Sequence, residues 1–395
     1  METALKRRIG PGLLTAYGVG VMIGAGIYVI VGAVAESAGI WAPLAFFLAG
    51  LVALPSALTY AEFSARLPEA AGEALYVEVG FGRAWLGMLV GLAIVVSGTV
   101  SAATVLRGGV GYLQAIVEFD RLWLTVGIGL ALTLIAIIGA LESMAFVALF
   151  TVIEVGGLLL VVWAGFSAEP VIGMAQISAP SAAGIAGAIA LCFFAFIGFE
   201  DIVNMAEEVK KPTATIPLAI MAALAITAGL YALVSFAAIR SVPVELLGRS
   251  EQPLVLVWQA GRGGSATFLS AIAVFAAVNG VLAQIVMASR VLFGLGRRHP
   301  SLRVFHHVQP RFATPMRASV LIGALVIAGA VLLPVVALAR VTSAVLLGVF
   351  VLVNAALILM KRREPEAAFR VAGWVPWAGI ALSLAALLAE YGGLL

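Results

Sequence analysis

Residues Gly18 to Tyr28 read Gly-Val-Gly-Val-Met-Ile-Gly-Ala-Gly-Ile-Tyr and lie in the middle of an apolar segment, residues 12–35. The segment is longer than the roughly 20 apolar residues that cross a bilayer core of ~30 Å. Five glycines fall within residues 12–26, and each glycine inside a helix costs about 1 kcal/mol relative to alanine. In lipid, a broken backbone is tolerated only where its N–H and C=O groups face protein or a cavity. The stretch therefore predicts a membrane-spanning helix that is interrupted to form a binding site.

The composition predicts an all-α polytopic membrane protein. Hydrophobic residues make up 63% of the 395 residues and charged residues 11%, whereas soluble domains are about 45–50% apolar. Hydropathy windows of about 19 residues predict about eleven transmembrane helices. We place them at residues 12–35, 41–62, 84–106, 123–140, 144–165, 184–205, 217–238, 267–292, 318–335, 341–360 and 372–391.

The loops predict the orientation of the chain. Lys6-Arg7-Arg8 before an apolar run is also typical of a signal peptide, but this run is too long for a signal-peptide core. With a cytoplasmic N-terminus most Lys and Arg residues lie inside, as the positive-inside rule requires. The odd span count then places the residues after Tyr391 outside. We expect an integral protein of the bacterial inner (plasma) membrane.

The net charge of +3 is explained by the cytoplasmic loops. These loops favour contact with anionic membrane lipids, so the charge requires no nucleic-acid partner. We expect no obligatory protein partner. Cys192 is the single cysteine, which excludes a disulfide within the chain.

A second interruption is predicted near Gly198, where Glu200 and Asp201 follow directly in an otherwise apolar span. A charge at the centre of a membrane helix costs roughly 2.5–3.5 kcal/mol, so we expect both carboxyl groups to face protein or water. The alternative is simple solvation of a helix end below the break.

The two interrupted spans are the first and the sixth in order. Five spans per half is an odd number, so the second half enters the membrane from the opposite side. This spacing predicts one transmembrane transporter domain, residues 1–395, built as an inverted repeat. The first repeat is residues 12–165, the second is 184–360, and residues 372–391 form an additional helix.

Three stretches resemble the amino acid-polyamine-organocation superfamily. Gly20 to Tyr28 resembles its glycine signature, and residues 193–217, FFAFIGFEDIVNMAEEVKKPTATIP, resemble the signature of its sixth helix and following loop. Ala288-Ser289-Arg290 and Arg311 to Pro315 are also similar to that family. The resemblance implies the LeuT-type fold, with a 5+5 inverted-repeat core and discontinuous first and sixth helices. Members usually have twelve or more helices, so the count of about eleven is a departure.

Interrupted helices expose N–H groups of partial positive charge and C=O groups of partial negative charge. Two antiparallel broken helices therefore suit the carboxylate and ammonium of an amino acid. From the resemblance, the carboxylate is expected at the N–H groups of Ile23, Gly24, Ala25 and Gly26. The ammonium is expected at the carbonyls of Phe194, Ala195 and Ile197. The alternative is that the glycines only permit tight helix packing, which the spacing Gly20-xxx-Gly24 also allows.

Phe196 and Phe199 flank the second break. In related transporters an aromatic residue near this point closes over the substrate, which makes both residues candidate gates. The alternative is that they are ordinary packing residues.

Glu154 is a lone carboxyl group near the centre of the fifth span, and an ionisable residue in such a place is a functional-site hypothesis. Three hypotheses remain open. Glu154 is a proton carrier, a fixed charge that holds the first helix or a cation, or a structural acid with a hydrogen bond elsewhere. In proton-coupled relatives a lysine occupies the corresponding position, so the resemblance does not transfer their mechanism.

Together these features predict a secondary active transporter that carries small or neutral L-amino acids by alternating access, with the proton as coupling ion. No cofactor or metal site is predicted, and no nucleophile with its base points to an enzyme. The alternatives are an amino acid exchanger or facilitator, including one for cationic amino acids or polyamines, and a non-transporting amino acid sensor.

Overall fold

The computed structural model describes residues 7–24, 26–68, 72–138, 144–171, 182–206, 208–309, 311–312 and 314–392. The described residues form α-helices joined by short 3-10 turns, and their only β-type pairings are two isolated bridges. The α-helices are α1 Pro11–Ile23, α2 Gly26–Ala38, α3 Ala42–Arg66, α4 Gly72–Phe81, α5 Ala84–Leu113, α6 Arg121–Ile138, α7 Met144–Ser167, α8 Ala182–Phe193, α9 Pro212–Ser241, α10 Val244–Arg249, α11 Pro253–Arg262, α12 Thr267–Arg298, α13 Met316–Leu332, α14 Val335–Arg363 and α15 Val375–Gly392.

The predicted all-α polytopic architecture is confirmed. Within the described ranges, 8 helical segments are long and apolar enough to cross a membrane, and three shorter apolar helices accompany them. Each predicted span coincides with one helix or one pair of helices. Several helices extend beyond the apolar segment from which they were predicted, because polar residues continue the helix at its ends. α12, for example, ends at Arg298.

The first span is broken where the glycines predict it. α1 ends at Ile23, and Gly24 adopts φ 29° and ψ −137°, a conformation that glycine reaches without a Cβ clash. The N–H of Gly24 donates to the carbonyl of Gly20 at 2.9 Å and closes the last turn. α2 then begins at Gly26.

The sixth span is broken as well, but its second half differs from an α-helix. α8 ends at Phe193 and continues as a 3-10 turn over Phe194–Phe196. Gly198 has φ 122°, again in the region that favours glycine. The chain then forms a 3-10 helix, Glu200–Met205.

Three short helices between the spans were not predicted, because hydropathy windows of about 19 residues do not detect them. α4 lies between α3 and α5. α10 and α11 lie between α9 and α12, where α10 packs on α2 and α11 packs on α7. The contact between α10 and α2 is close, because a Cβ on Gly248 would lie 2.8 Å from Cβ of Glu36.

The N-terminal segment pairs with the chain beyond the sixth span. Ile9 and Val209 form a parallel bridge, and the N–H groups of Arg8 and Ile9 donate to the carbonyl of Glu208 at 2.8 and 3.0 Å. Residues 7–10, the 3-10 helix Glu200–Met205 and α4 therefore share one end of the bundle, which we call the N-terminal face. The positive-inside rule predicts that this face is cytoplasmic.

Candidate substrate and coupling site

The two breaks lie side by side in the bundle. A Cβ on Gly26 would lie 3.3 Å from Cα of Ala195, and one on Gly198 would lie 2.7 Å from Cγ1 of Val21. Because glycine has no Cβ, Gly26 of the first break lies against the backbone of the second break. For the same reason Gly198 of the second break lies against the side chain of Val21 at the first break. The contacts bring together the two groups of residues that the sequence assigns to the substrate.

The predicted substrate-binding residues are enclosed. Ile23, Gly24 and Gly26 are buried at the first break, whereas Ala25 lies outside the described residues. The corresponding residues at the second break are also buried; they are Phe194, Ala195 and Ile197. The assignment of both groups to substrate binding stays a prediction.

Tyr231 of α9 joins the two breaks through its hydroxyl group. The hydroxyl lies 2.7 Å from the carbonyl oxygen of Met22 and 3.0 Å from that of Ala195. A hydroxyl has a single proton, so it donates fully to only one of these carbonyls at a time. Tyr231 was not predicted as a site residue. In the sequence, the only signal for it is a hydroxyl group within the apolar seventh span.

Other polar groups at the breaks are bonded internally in this conformation. The N–H of Ile197 donates to the carbonyl of Phe194 at 3.3 Å. The N–H of Gly198 donates to Oε2 of Glu200 at 2.9 Å. An amino acid that binds between the breaks must therefore replace some of these bonds.

Glu200 and Asp201 are 4% and 8% exposed. They face protein, and solvation of a helix end does not describe them. Glu200 also receives the N–H of Gly198 and so closes the second break locally.

The candidate gates Phe196 and Phe199 belong to different aromatic clusters, and both are fully buried. Phe196 packs edge-on against Tyr231 with ring centroids 5.4 Å apart. The ring centroid of Phe199 lies 5.7 Å from that of Tyr60 and 5.3 Å from that of Phe350, on the side of the N-terminal face. A gating movement of either ring stays a prediction.

Glu154 of α7 lies against the first broken helix. One turn earlier on α7, the Thr151 hydroxyl donates to the carbonyl of Ala16 in α1 at 3.0 Å and meets Gly20. The Tyr28 hydroxyl of α2 donates to the backbone carbonyl of Glu154 at 3.1 Å. α7 thus contacts both halves of the first span, through Thr151 at α1 and through Glu154 at α2.

The carboxyl group of Glu154 is unusual among the described residues. The residue is 1% exposed, and neither carboxyl oxygen has a hydrogen-bond partner within the described part of the chain. The group also lies near enough to the hydroxyls of Tyr28 and Tyr231 for its charge to interact with both. Within the described residues the carboxyl group thus makes no structural hydrogen bond, and the role of Glu154 stays a prediction.

A model of the amino acid permease family matches residues 13–391. This chain belongs to the amino acid permease family. The family is one of amino acid permeases, which agrees with the transporter that the sequence predicts. Membership also confirms the resemblance to the amino acid-polyamine-organocation superfamily.

Several proteins named as transporters or permeases are similar along most of this chain. Human cationic amino acid transporter 4 is 31% identical over 388 residues, which cover 91% of this permease and 61% of the human protein. Two proteins of Bacillus subtilis are similar as well: a methylthioribose transporter is 27% identical and a branched-chain amino acid permease is 26% identical. The alignments cover 93% and 92% of this permease, and 84% and 83% of the Bacillus proteins. This permease thus spans about three fifths of the human relative.

Proposed function

We propose that this permease is a secondary active transporter that moves small or neutral L-amino acids together with protons by alternating access. The observation that carries the proposal is the buried, unpartnered carboxyl group of Glu154 beside the first break. Membership of the amino acid permease family supports the substrate class in its coarse form.

The surroundings of Glu154 favour a proton as its partner. An ionised carboxylate that is removed from water without donors or a counter-charge is strongly disfavoured. Binding a proton removes that cost. A group that is neutral when enclosed and ionised when open to water exchanges its proton as the protein alternates between conformations.

The paired breaks support recognition of the amino acid zwitterion. The carbonyls of Met22 and Ala195 share the single proton of Tyr231, so one of them lacks a full donor. An ammonium group has three N–H donors and satisfies this pair better than the hydroxyl does. We infer that the substrate ammonium replaces the Tyr231 bond to Ala195, while the carboxylate is placed near the N–H groups of residues 23–26.

A cationic substrate is the second candidate. The unpaired carboxyl group of Glu154 would suit a basic side chain as well as a proton, and human cationic amino acid transporter 4 is a similar protein. In that case the permease is an exchanger or facilitator that needs no proton gradient. We also propose the bacterial inner membrane as its location, with a cytoplasmic N-terminus.

Uptake into proteoliposomes tests these candidates. Labelled alanine, leucine and arginine are offered to sodium-free vesicles with an acidic exterior, with and without a protonophore. We expect alanine or leucine to accumulate above equilibrium, and the protonophore to abolish the accumulation. The opposite result is arginine uptake that reaches only equilibrium and does not depend on the pH gradient, without accumulation of the neutral amino acids. This result would support the second candidate and overturn the first.

A further inference from the structure

A second group of buried acids lies at the N-terminal face, away from Glu154. Glu73 in the first turn of α4 is 5% exposed, and the buried Glu200 and Asp201 belong to the neighbouring 3-10 helix. α4 touches that helix directly, because a Cβ on Gly72 would lie 2.8 Å from Oδ1 of Asn204. The symport proposed above uses none of these acids.

Two unused hydroxyl groups accompany Glu73. Tyr60 of α3 and Tyr76 of α4 are fully buried, and their hydroxyls have no hydrogen-bond partner among the described residues. Both hydroxyls are close enough to Glu73 to interact with its charge: that of Tyr60 approaches the carboxyl group within a weak hydrogen-bonding distance, whereas that of Tyr76 makes no hydrogen bond to it. Within the described residues the carboxyl group of Glu73 is thus supported only by its own backbone N–H and by the weak contact with Tyr60, while the Tyr76 donor stays unused, although a buried ionised carboxylate requires donors.

The charges around Glu73 also disfavour its ionised form. Burial raises the pKa of Glu73 to about 7, and the charge of Asp201 adds to this effect. The helices that pack around it supply no basic partner within ion-pair distance in the described part of the chain. The ionisable groups that face this cluster are Tyr60 from α3, Tyr76 from α4, Glu200 and Asp201 from the 3-10 helix, and, beyond Asp201, Tyr17 from α1 with Arg290 from α12.

Two basic side chains on the nearby helices have other acidic partners. Lys361 of α14 donates to Oε2 of Glu62 at 2.7 Å. Arg298 of α12 pairs with Glu78 of α4 at 3.0 Å, toward solvent. Neither pair involves Glu73.

We propose that Glu73 is a second proton-binding site, separate from Glu154, and that its proton holds the N-terminal face closed. In the closed form the neutral acid is packed between the two tyrosines and the 3-10 helix. Loss of the proton places a negative charge beside Asp201, so α4 and the 3-10 helix separate and admit water. The ionised carboxylate then accepts hydrogen bonds from the hydroxyls of Tyr60 and Tyr76.

The direction of the pH effect follows from linkage. An acid whose pKa is higher in the closed form than in the open form favours closure at low pH. The advantage is complete below about pH 5 and falls by up to tenfold per pH unit until about pH 7. Rising pH on the side of this face therefore opens it.

Thiol labelling tests the proposal without substrate or a gradient, so failure of proton symport would not affect the result. Cys192 is the only cysteine, and Cys192→Ser with Asn204→Cys places one reporter beside α4. The labelling rate in detergent is measured at each pH for the reporter protein with Glu73 and for the same protein with Glu73→Gln. The ratio of the first rate to the second cancels the effect of pH on the ionisation of the thiol. We expect this ratio to rise about twentyfold between pH 5.5 and pH 7.5.

Glu78→Gln is the matched control on the same helix, because it removes an acid that pairs toward solvent. It is expected to keep the pH dependence of the unchanged chain. A ratio that does not vary with pH would overturn the proposal. Glutamine imitates a protonated acid, so Glu73→Gln is expected to fold; if it fails to fold while Glu73→Asp folds, the proposal is also overturned.

Discussion

Glu62 in α3 and Glu154 in α7 are both buried glutamates in membrane-spanning helices, but their surroundings are opposite. Oε1 of Glu62 accepts hydrogen bonds from Arg66 at 2.9 and 2.6 Å. Its Oε2 accepts from Lys361 at 2.7 Å and from the N–H of Val371 at 2.9 Å. Glu154 has no such partner among the described residues. The first carboxylate is held as a fixed charge, whereas the second has no donor that stabilises its ionised form, as the proton carrier that we propose requires.

The comparison shows why burial alone does not identify a functional acid. Glu62 joins the end of α3 to α14 and to the chain before α15, and Arg66 extends the network to the carbonyl of Glu364 at 2.8 Å. Such a saturated network stabilises a fixed arrangement of helices. A buried acid without partners adds nothing to stability in its ionised form, so its presence in the middle of a span points to function.

Removing the charge of Glu62 is expected to have the largest effect on stability. Glu62→Gln leaves Arg66 and Lys361 buried without their counter-charge, which costs about 3–5 kcal/mol. Thermal unfolding in detergent, followed by tryptophan fluorescence, measures the loss. The exposed pair of Glu78 and Arg298 is the control, since Glu78→Gln should cost no more than about 1 kcal/mol. Equal losses in the two variants would contradict the distinction.

A side chain at the second break is expected to have the next largest effect. In Gly198→Ala the Cβ would lie 2.7 Å from Cγ1 of Val21, and the residue keeps φ 122°. We expect a loss of about 3 kcal/mol, at the upper end for a strained backbone position, and weaker uptake. Gly187→Ala in α8 is the matched control, because its Cβ meets nothing within 4 Å. If both variants behave alike, close approach of the breaks does not require glycine.

Loss of the Tyr231 hydroxyl is expected to have a smaller effect. Tyr231→Phe leaves the carbonyls of Met22 and Ala195 without this donor, at a cost of about 2 kcal/mol. If the substrate ammonium replaces this bond, the variant also binds amino acids more tightly, and equilibrium binding measures the change. Tyr112→Phe removes one bond to Tyr28, outside the pair of carbonyls, and should not tighten binding. Weaker binding in Tyr231→Phe would show that the hydroxyl holds the substrate instead.

Glu154→Gln is expected to have the smallest effect on stability. The proposed enclosed form of Glu154 is already neutral, so an amide of similar shape should change the free energy of unfolding by less than about 1 kcal/mol. The same thermal unfolding measures it, with Glu62→Gln as the contrasting variant. A loss as large as that of Glu62→Gln would mean that Glu154 is a fixed charge.

The amino-acid sequence predicts the spans and both breaks, because hydropathy and glycine positions are local signals. It also predicts the buried acid Glu154 as exceptional. The 3-10 form of residues 200–205 is not visible in it, because that geometry depends on packing against α1, α3, α4 and α9. The sequence cannot reveal the bond from Tyr231 to Met22 either, since 209 positions separate the two residues.

The network around Glu62 lay beyond the sequence analysis for the same reason. Its partner Lys361 is 299 positions away, so only the folded chain shows that one acid is saturated. Glu73 was missed because it lies in α4, a short helix between two spans. Hydropathy reports how apolar a segment is, whereas the role of an acid depends on the donors that folding brings to it.

Proton movement driven by substrate tests the role of Glu154 most directly. In proteoliposomes without a pre-formed gradient, an inward gradient of a transported neutral amino acid should acidify the interior of vesicles that contain the unchanged chain. Glu154→Gln should show no acidification, while it still exchanges labelled for unlabelled substrate across the membrane. Acidification that persists in Glu154→Gln at the same rate per molecule of substrate would contradict the assignment of Glu154 as the proton carrier.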